Sequence, residues 1–586
     1  MVPVRALLGR AKARVLDDLR TDPYLPAVLI LAAVLSGFWF WHRLPNVATR
    51  DEWSRALDPL VAFRSVVADP SYEGLKEGVA WGRVPFGATF YLFGLALIPM
   101  IAVAVLTGTL DAIMGPVQIS WDFGHFPTWD GIPAWFWTGY IGLIRLFNVA
   151  FAIGSVYLTY RIATTIADRS TGRLAALLLT LTFGFLTIAH EGGEDMPALF
   201  FLLIALYLLI WYVRSGETWT FYGASATGGV AMAFKLTTAP VIGLIVVAHL
   251  LRARGSDDWS ASLYRPRLIG IGGALGVLAI VVGLPTTLVG AFEPVLSRIG
   301  GHSISRPGSP HGPTAPVWWW FARGYFSGLG LPLFAASVAG VVAALVRAGR
   351  RRANAGTLLV LAGVGGFLAL YVPWHDFRVH HLLPTFPLLA ILVATWLVRL
   401  RDRRQTVARV LTVGLVISSG VYAGVGVAGY ADMPRDQAAA WMDDRVGDNE
   451  TIESYRWHFQ DTAVPHGATV TYREGEFTAC PEYIMLTYRD LVYLDDTYLR
   501  NSPRRQAYIR GLLDGNYSYE IVTEFGSRPP AYVPQRPTPG SLLELLPYGI
   551  VPQVDQHGDE QELQPNQFTV ILQSTGECRS DRGPPF

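Results

Sequence analysis

The chain has 586 residues, of which 51% are hydrophobic and only 16% are charged. Soluble domains carry about 25% charged residues, so this composition argues against a purely soluble protein. The 47 basic and 46 acidic residues nearly cancel, and only two residues are cysteines. Two cysteines exclude a disulfide-rich scaffold, a thiolate metal cluster and a CxxC redox site.

Long apolar runs follow one another along the first 430 residues. A helix needs about 20 apolar residues to cross a bilayer, and several runs approach or exceed this length. We therefore predict a polytopic α-helical membrane protein with about eleven transmembrane helices. They are predicted at residues 24–41, 136–160, 174–189, 196–213, 219–234, 236–251, 268–291, 324–346, 356–374, 382–398 and 410–430.

Basic residues are distributed unevenly between the segments that join these helices. With the N-terminus placed in the cytoplasm, the inner segments hold 22 Lys and Arg in 74 residues, whereas the outer segments of the membrane half hold 11 in 140. Positive residues gather on the cytoplasmic side of membrane proteins. We therefore expect a multi-pass protein of the cell membrane with a cytoplasmic N-terminus. An odd number of crossings then places the chain after residue 430 on the extracytoplasmic side.

The first outer loop, residues 44–135, contains an additional apolar run at residues 86–108. Although this run is long enough to span, one more crossing would send the Arg-rich clusters at 350–352 and 401–404 to the outside, against the charge rule. We interpret it as a re-entrant or interface-lying segment, and pairing with a second, weaker crossing stays open.

Acidic residues gather at the predicted outer junctions. Asp51 and Glu52 lie in the first outer loop, and Glu191, Glu194 and Asp195 lie between the third and fourth helices. Carboxylates that share a membrane face with basic residues indicate a site for an anionic, lipid-borne substrate. Each cluster has a structural alternative. Residues 49–52 fit a capping box in which Glu52 reaches back to the start of a helix, and residues 191–195 fit a solvated turn whose last residue caps the next helix.

Basic side chains and histidines complete the set of candidates. Arg145 lies about ten residues into an apolar helix, where a charge is costly unless it has a partner. Lys235, between two short helices, could be only an outer-surface anchor. Arg378 is followed by His380 and His381 and preceded by a histidine at 375. The histidine spacing matches no zinc signature, so solvated or hydrogen-bonded histidines are favoured over metal ligands.

Residues 431–586 differ from the rest of the chain. They hold 24 acidic residues, 13 arginines and no lysine. Helical pieces at 435–445 and 503–513 alternate with strand-like runs at 468–472, 483–488, 520–525 and 568–572. This pattern predicts an acidic, soluble, extracytoplasmic α/β domain that follows a membrane domain of residues 1–430.

Two features of this domain bear on where the protein works. The acidic, lysine-free composition favours a halophilic archaeon as the source, although a GC-rich genome alone would also favour Arg over Lys. Cys480 and Cys578 would face an oxidising compartment. Whether they form a disulfide or stay two free thiols is left open.

Several of these features occur together in a known family. The Asp51-Glu52 pair in the first outer loop, the Asp195-Met-Pro-Ala-Leu-Phe-Phe helix start, the Phe234-Lys-Leu-Thr-Thr turn and the run Arg378-Val-His-His-Leu-Leu-Pro-Thr-Phe-Pro resemble the protein O-mannosyltransferases. This is glycosyltransferase family 39 of the GT-C superfamily, which also has the aminoarabinose transferase of lipid A among its relatives. The resemblance covers residues 20–430 and implies a GT-C-like fold for the membrane domain.

The resemblance also implies residue roles. Asp51 would be the catalytic base, Glu52 would bind the acceptor or an ion, and Asp195 would be the second acidic residue of the site. Arg378, Arg145 and Lys235 would bind the donor phosphate, and Glu194 and His381 are further site candidates. No metal ligand is assigned, and a divalent cation is left open as a cofactor.

The implied activity is transfer of a sugar from a polyprenyl (dolichyl) phosphate carrier to a hydroxyl on the outer membrane face, with inversion. The expected partners are the polyprenyl-phosphate sugar donor, a protein, lipid or glycan acceptor, and membrane lipids, with no nucleic acid. The alternative is a transporter or assembly factor for lipid-linked glycans without catalysis. Transporters usually place ionisable residues near the bilayer midplane and often contain paired repeats, whereas the acids here are predicted at one outer rim.

Overall fold

The computed structural model describes residues 4–81, 87–115, 125–293, 295–297, 300, 314–374, 378–447, 450–455, 462–472, 481–498, 502–554 and 567–576. Cys480, Cys578 and residue 375 lie outside these ranges. The predictions made for these three residues therefore stay predictions.

Helices form most of the described chain. Their bounds, in chain order, are α1 Val4–Thr21, α2 Leu25–Gly37, α3 Arg50–Ala68, α4 Tyr72–Ala80, α5 Gly87–Thr107, α6 Leu110–Met114, α7 His125–Asp130, α8 Ala134–Ile166, α9 Arg169–Thr180, α10 Phe183–Ala189, α11 Asp195–Ser215, α12 Thr218–Phe234, α13 Pro240–Arg254, α14 Trp259–Leu263, α15 Pro266–Gly283, α16 Pro285–Leu288, α17 Val317–Gly349, α18 Ala355–Tyr371, α19 Val379–Leu382, α20 Thr385–Arg403, α21 Gln405–Ala428, α22 Pro434–Asp443, α23 Tyr488–Leu491 and α24 Pro503–Leu513.

Seven helices in the described residues are long and apolar enough to cross a membrane, or nine if each of two bent pairs forms one span. The prediction of a polytopic α-helical membrane protein is confirmed, and eleven crossings stay a prediction. The seven are Gly87–Thr107, Ala134–Ile166, Asp195–Ser215, Leu236–Arg254, Trp259–Gly283, Val317–Gly349 and Gln405–Asp443.

Every one of the eleven predicted segments contains a helix, but some of these helices are broken. The segment 174–189 consists of α9 and α10, which are bent by 63°. Inside α17, Gly330 has φ +71 and ψ 154, which interrupts the regular helical backbone. Glycine tolerates this conformation because it lacks a Cβ atom.

Residues 87–107 of the additional apolar run form the continuous 21-residue helix α5. At one end, Ala88 packs with Ala198 and Ala233, near the start of α11 and the end of α12. Further along, Met100 contacts Gly139 in the second turn of α8. Both contact regions lie at the same end of the helical bundle. Since α5 is also long enough to span, the re-entrant or interface-lying interpretation stays a prediction.

The C-terminal region contains a five-stranded sheet, as predicted for an α/β domain. The strands are β1 Thr451–Ser454, β2 Thr469–Tyr472, β3 Tyr483–Thr487, β4 Tyr519–Phe525 and β5 Thr569–Ser574, in the spatial order β2-β1-β3-β5-β4. The first three strands are parallel, and β5 is antiparallel to both β3 and β4. Four of the strands were predicted. The short β1, which carries the buried Glu453 in place of an apolar residue, was missed.

The sheet packs against helices α3 and α5 of the first outer loop and against the start of α8. One apolar cluster joins Trp53 of α3, Phe93 of α5 and Tyr140 of α8 with Ile452 of β1 and Ile571 of β5. This packing places the sheet at the bundle end where α8 begins. The predicted domain boundary at residue 430 stays a prediction.

Polar contacts join the same two regions. The His466 Nε2 lies 3.0 Å from the carbonyl oxygens of Trp129 and Ile132, and the backbone N–H of Gly467 donates to Asp130 Oδ1 at 3.0 Å. The C-terminal region is therefore fixed against the first outer loop by hydrogen bonds as well as by apolar packing.

Candidate active site

Helix α3 begins with the cap that the sequence suggested. Thr49 is the N-cap residue, and its Oγ1 accepts a hydrogen bond from the backbone N–H of Glu52 at 3.2 Å. The Glu52 carboxylate reaches back one residue further than a standard capping box, since its Oε2 accepts from the N–H of Ala48 at 2.7 Å. The cap fixes the backbone on both sides of Asp51, because Asp51 lies between the N-cap and Glu52.

Glu52 forms a fully buried ion pair with Arg145 of α8. The Arg145 Nε and Nη2 each donate to one Glu52 oxygen at 2.8 Å, in a bidentate arrangement. Neither side chain is exposed to solvent. The remaining guanidinium nitrogen, Nη1, donates to the carbonyl oxygens of Phe40 and His42 at 2.9 and 2.6 Å. Buried charges need such pairing, and this one ties the start of α3 to α8.

The turn before α11 also contacts the buried pair of Glu52 and Arg145. The backbone N–H of Gly192 donates to Glu52 Oε1 at 2.7 Å. A Cβ at position 192 would lie 2.4 Å from Ile144 Cγ2, so only glycine lets this backbone approach so closely. Residues 191–195 are therefore not a merely solvated turn, because they fix the position of Glu52.

These contacts occupy two of the predicted site residues. The Glu52 carboxylate accepts four hydrogen bonds, and the Arg145 guanidinium donates four. Donor-phosphate binding by Arg145 and acceptor or ion binding by Glu52 stay predictions. The geometry instead gives both residues a positioning role next to Asp51.

Asp51 itself is exposed to solvent. Four basic residues act on it by their charge: Arg55, Arg378, Lys235 and Arg50. The surrounding protein disfavours the charged carboxylate, but these cations outweigh that effect and hold the pKa of Asp51 below its ordinary value. The structure thus brings Asp51, Arg378 and Lys235 together, although they are far apart in the chain.

Asp195 and Lys235 form an ion pair at this same bundle end. The Lys235 Nζ contacts Asp195 Oδ1, and both side chains are mostly buried. Asp195 lies within electrostatic range of Asp51 and Glu194. The second acidic residue of the predicted site is therefore close to the first, and Lys235 is shared between them.

Arg55 and Asp58 belong to the same cluster and were not identified from the sequence. The Arg55 Nε lies 3.5 Å from Glu194 Oε2, and both side chains are almost fully buried. Asp58, three residues further along α3, has a buried Oδ1 without a described hydrogen-bond partner. Burial, opposed by the charge of Arg55 and supported by that of Glu194, raises the pKa of Asp58 to about 7.

A signal for these two residues was present in the sequence. Asp51, Arg55 and Asp58 are spaced i, i+4 and i+7, which places them on one face of a helix. A helix that starts after the capping box at residues 49–52 would therefore carry all three residues on one face.

Arg378 and His381 lie together at the start of α19. The backbone N–H of Arg378 donates to His381 Nδ1 at 3.0 Å, so the histidine caps the helix. The His381 ring also makes edge contacts with Tyr371 and Trp374, each with ring centroids 5.4 Å apart. His381 thus fixes the backbone from which the Arg378 side chain extends. A direct role for His381 in the site stays a prediction.

No group of three or more His, Cys, Asp or Glu side chains that could hold a metal ion occurs within the described ranges. Lys235 and Arg55 lie against Asp195 and Glu194, so two of the acids in this cluster are paired with cations. A divalent cation as cofactor stays a prediction.

One protein-family model matches part of the chain. Residues 141–284 match the family described as dolichyl-phosphate-mannose-protein mannosyltransferase. The match spans about a quarter of the chain and includes Arg145, Glu194, Asp195 and Lys235. The predicted resemblance to glycosyltransferase family 39 is confirmed over this range, whereas Asp51 and Arg378 lie outside it.

Two solved structures are remotely similar. ArnT from Cupriavidus metallidurans, bound to undecaprenyl phosphate, is 12% identical with a TM-score of 0.48, covering 77% of this chain and 86% of that chain. The oligosaccharyltransferase AglB from Archaeoglobus fulgidus, in complex with an inhibitory peptide and a dolichol-phosphate, is 11% identical with a TM-score of 0.46, covering 95% and 89%. No curated protein sequence matches the chain.

Proposed function

We propose that this protein is a membrane glycosyltransferase that moves a sugar from a polyprenyl (dolichyl) phosphate carrier to a hydroxyl acceptor, with Asp51 as the general base. One observation carries the proposal. An exposed carboxylate, Asp51, lies among basic side chains at one bundle end, and a fully buried ion pair fixes the adjacent residue. The dolichyl-phosphate-mannose family match supports the choice of donor.

The negative charge of Asp51 suits the acceptor hydroxyl, and the positive charges of Arg378 and Lys235 suit the donor phosphate. The acceptor oxygen attacks the anomeric carbon, the bond from that carbon to the phosphate oxygen breaks, and polyprenyl phosphate leaves. The acceptor proton passes to the Asp51 carboxylate. Arg378 and Lys235 bind the leaving phosphate, where positive charge stabilises the negative charge that develops.

The lowered pKa of Asp51 is consistent with these roles of the carboxylate and the cations. In the absence of donor, the cations around Asp51 keep it ionised. A donor phosphate bound to Arg378 and Lys235 neutralises part of that positive charge. This weakens the effect that lowers the pKa of Asp51, so the carboxylate becomes a stronger base. Donor binding therefore prepares the base.

A single displacement with inversion is the course of the reaction that we propose. Asp51 activates the acceptor hydroxyl, and the phosphate is held by the cations of α19 and the α12–α13 turn. When the base and the leaving group lie on opposite faces of the sugar, one displacement inverts the anomeric centre. Retention would instead need two displacements. In the first, a protein carboxylate would attack the anomeric carbon, and a base would activate the acceptor in the second.

The positioning residues give the site its rigidity. Glu52 and Arg145 fix the start of α3, and His381 fixes the backbone of Arg378. Arg55 holds Glu194 next to Asp195. The acceptor is a protein, lipid or glycan hydroxyl. It reaches Asp51 at the bundle end that the C-terminal sheet covers.

The test is transfer by the purified full-length chain in detergent. A polyprenyl-phosphate hexose is supplied with a hydroxyl acceptor, and the anomeric configuration of the product is read by NMR spectroscopy. We expect a product of inverted configuration and release of polyprenyl phosphate. A retained configuration would refute the single displacement. A protein that binds lipid-phosphate sugars but cleaves none would support the transporter or assembly-factor alternative.

A further inference from the structure

We propose that α1 is an interfacial helix that binds anionic phospholipid headgroups at the bundle end opposite Asp51. The proposal is independent of the glycosyltransferase function. It depends on the direction of α1, on how its acidic residues are paired and on which side chains remain exposed.

Helix α1 runs roughly perpendicular to α2. Residues Gly9–Thr21 of α1 and Leu25–Gly37 of α2 are bent by 105° relative to each other. The apolar α2 packs against α8 and α9, and α8 is a 33-residue candidate span. Since α2 runs with the bundle, α1 extends along the membrane surface and not through it.

Two acidic residues anchor α1 and the turn after it to the bundle. Asp18 accepts hydrogen bonds from Arg161 Nη1 at 3.1 Å and from the Tyr157 hydroxyl at 2.8 Å. Asp22 accepts from Arg173 Nε at 2.9 Å and from the Tyr160 hydroxyl at 2.8 Å. Asp18 is only 3% exposed and Asp22 is not exposed. The fold therefore neutralises these two carboxylates.

The exposed part of α1 is basic. Arg10, Lys12, Arg14 and Arg20 are exposed, with Asp17 as the single exposed acid among residues 9–21. Leu16 is 40% exposed on the same helix, and Tyr24 in the following turn is 61% exposed. Basic side chains combined with exposed apolar and aromatic ones are typical of helices that lie in the headgroup region of a membrane.

Charge complementarity identifies the occupant. A span helix adjoins α1, so lipid headgroups are the surface nearest to it. Clusters of Lys and Arg beside a transmembrane helix attract anionic lipids. A zwitterionic headgroup offers no net charge to match the exposed bases. We therefore assign the exposed face of α1 to anionic phospholipids and not to the lipid surface in general.

The anchor contacts lie far from the proposed active site. Arg145 and Arg161 are 16 residues apart in α8, which corresponds to about 24 Å along a helix. Lipid binding at α1 should therefore be measurable whether or not the chain transfers sugar.

The test measures hydrogen exchange of the full-length protein in two kinds of lipid nanodisc. One contains phosphatidylcholine alone, and the other contains phosphatidylcholine with phosphatidylglycerol as the anionic lipid. We expect amides of residues 9–21 to exchange several-fold more slowly in the anionic nanodiscs. This difference should disappear in 1 M salt, since exposed charges are then screened within about 3 Å.

Two triple variants separate a local effect from a general one. Combining Arg10→Gln, Lys12→Gln and Arg14→Gln should abolish the lipid dependence of exchange in α1, while the anchor residues stay intact. Combining Arg350→Gln, Arg351→Gln and Arg352→Gln removes the same amount of charge elsewhere. This variant should keep the lipid dependence of exchange in α1. Equal exchange of wild-type α1 in the two nanodiscs would overturn the proposal, and so would full lipid dependence in the first variant. An acidic protein as the occupant would produce the first of these outcomes.

Discussion

Arg145 binds Glu52 through both carboxylate oxygens at 2.8 Å, across 93 residues of chain and without exposure of either side chain. Removing one member of a buried ion pair leaves the other charge unpaired and costs about 3–5 kcal/mol. Glu52→Gln and Arg145→Gln should therefore each lower the thermal stability of the detergent-solubilised protein. The double variant Glu52→Gln/Arg145→Gln should lose less than the sum of the two.

The double-variant cycle also decides between positioning and substrate binding. If the two residues act only on each other, their coupling should have the same size with and without donor. A coupling that appears only when polyprenyl-phosphate sugar is bound would support donor-phosphate binding by Arg145.

The helices of this fold could be predicted from the sequence, but their breaks could not. An apolar run of about 20 residues identifies a span regardless of where its neighbours lie, which is why all eleven segments contain a helix. The kink at Gly330 and the bend between α9 and α10 depend on packing against other helices. Periodicity within a uniformly apolar run does not record them.

In the candidate site, too, single residues could be predicted from the sequence, whereas contacts between distant residues could not. Asp51 and Asp195 could be named because charged residues at apolar junctions are conspicuous. The pairing of Arg145 could not be predicted, because its partner Glu52 lies 93 residues away and was itself assigned to acceptor or ion binding, with a helix cap as the alternative. Strand β1 was missed because Glu453, a buried acid in a four-residue strand, conceals the apolar pattern.

Asp58 should make stability depend on pH. Its pKa in the folded protein is raised to about 7 by burial, so the folded chain holds this proton more tightly than the unfolded chain does. The free energy of unfolding should then be largest below the ordinary pKa of Asp and should decrease as the pH rises toward 7. Asp58→Asn should remove this loss and stabilise the protein at pH 8 by on the order of a few kcal/mol.

The measurement is the unfolding temperature of wild type and Asp58→Asn at pH 4 and pH 8 in the same detergent. The variant should match wild type at pH 4 and exceed it at pH 8. Asp69→Asn, at the exposed far end of α3, is the matched control and should keep the wild-type pH profile. An Asp58→Asn profile parallel to that of wild type would exclude a raised Asp58 pKa.

Arg378 should act on the donor phosphate through its fork geometry. Arg378→Ala should weaken donor binding more than Arg378→Lys, because Lys keeps the charge but loses bidentate binding. Binding of polyprenyl-phosphate sugar to the purified variants checks this, with the exposed Arg409→Ala as a control for loss of a positive charge elsewhere. Equal effects of the two substitutions would mean that Arg378 contributes only a diffuse positive field, and unchanged affinity in both would remove it from the site.

The orientation in the membrane should follow the charge bias. Reporter fusions after Arg352 and Arg404 should be cytoplasmic, whereas fusions after Asp195 and Tyr430 should be extracytoplasmic. The reason is the excess of Lys and Arg in the segments assigned to the inside. A cytoplasmic signal after Tyr430 would place Asp51 and the C-terminal sheet in the wrong compartment for an outer-face transferase.

Asp51→Asn is the substitution on which the proposed chemistry depends. Asn keeps the size of the side chain and much of its hydrogen bonding but cannot take the acceptor proton, so transfer should fall by at least about a hundredfold. Donor binding should persist, since Arg378 and Lys235 remain. The unfolding temperature should decrease only slightly, because Asp51 is exposed and its loss leaves only the nearby cations less well balanced. The combined readout is turnover, donor affinity and thermal stability of the purified chain, beside Asp69→Asn as the control. Near-normal turnover in Asp51→Asn would refute the base assignment, while a parallel loss of donor binding would place Asp51 in substrate binding.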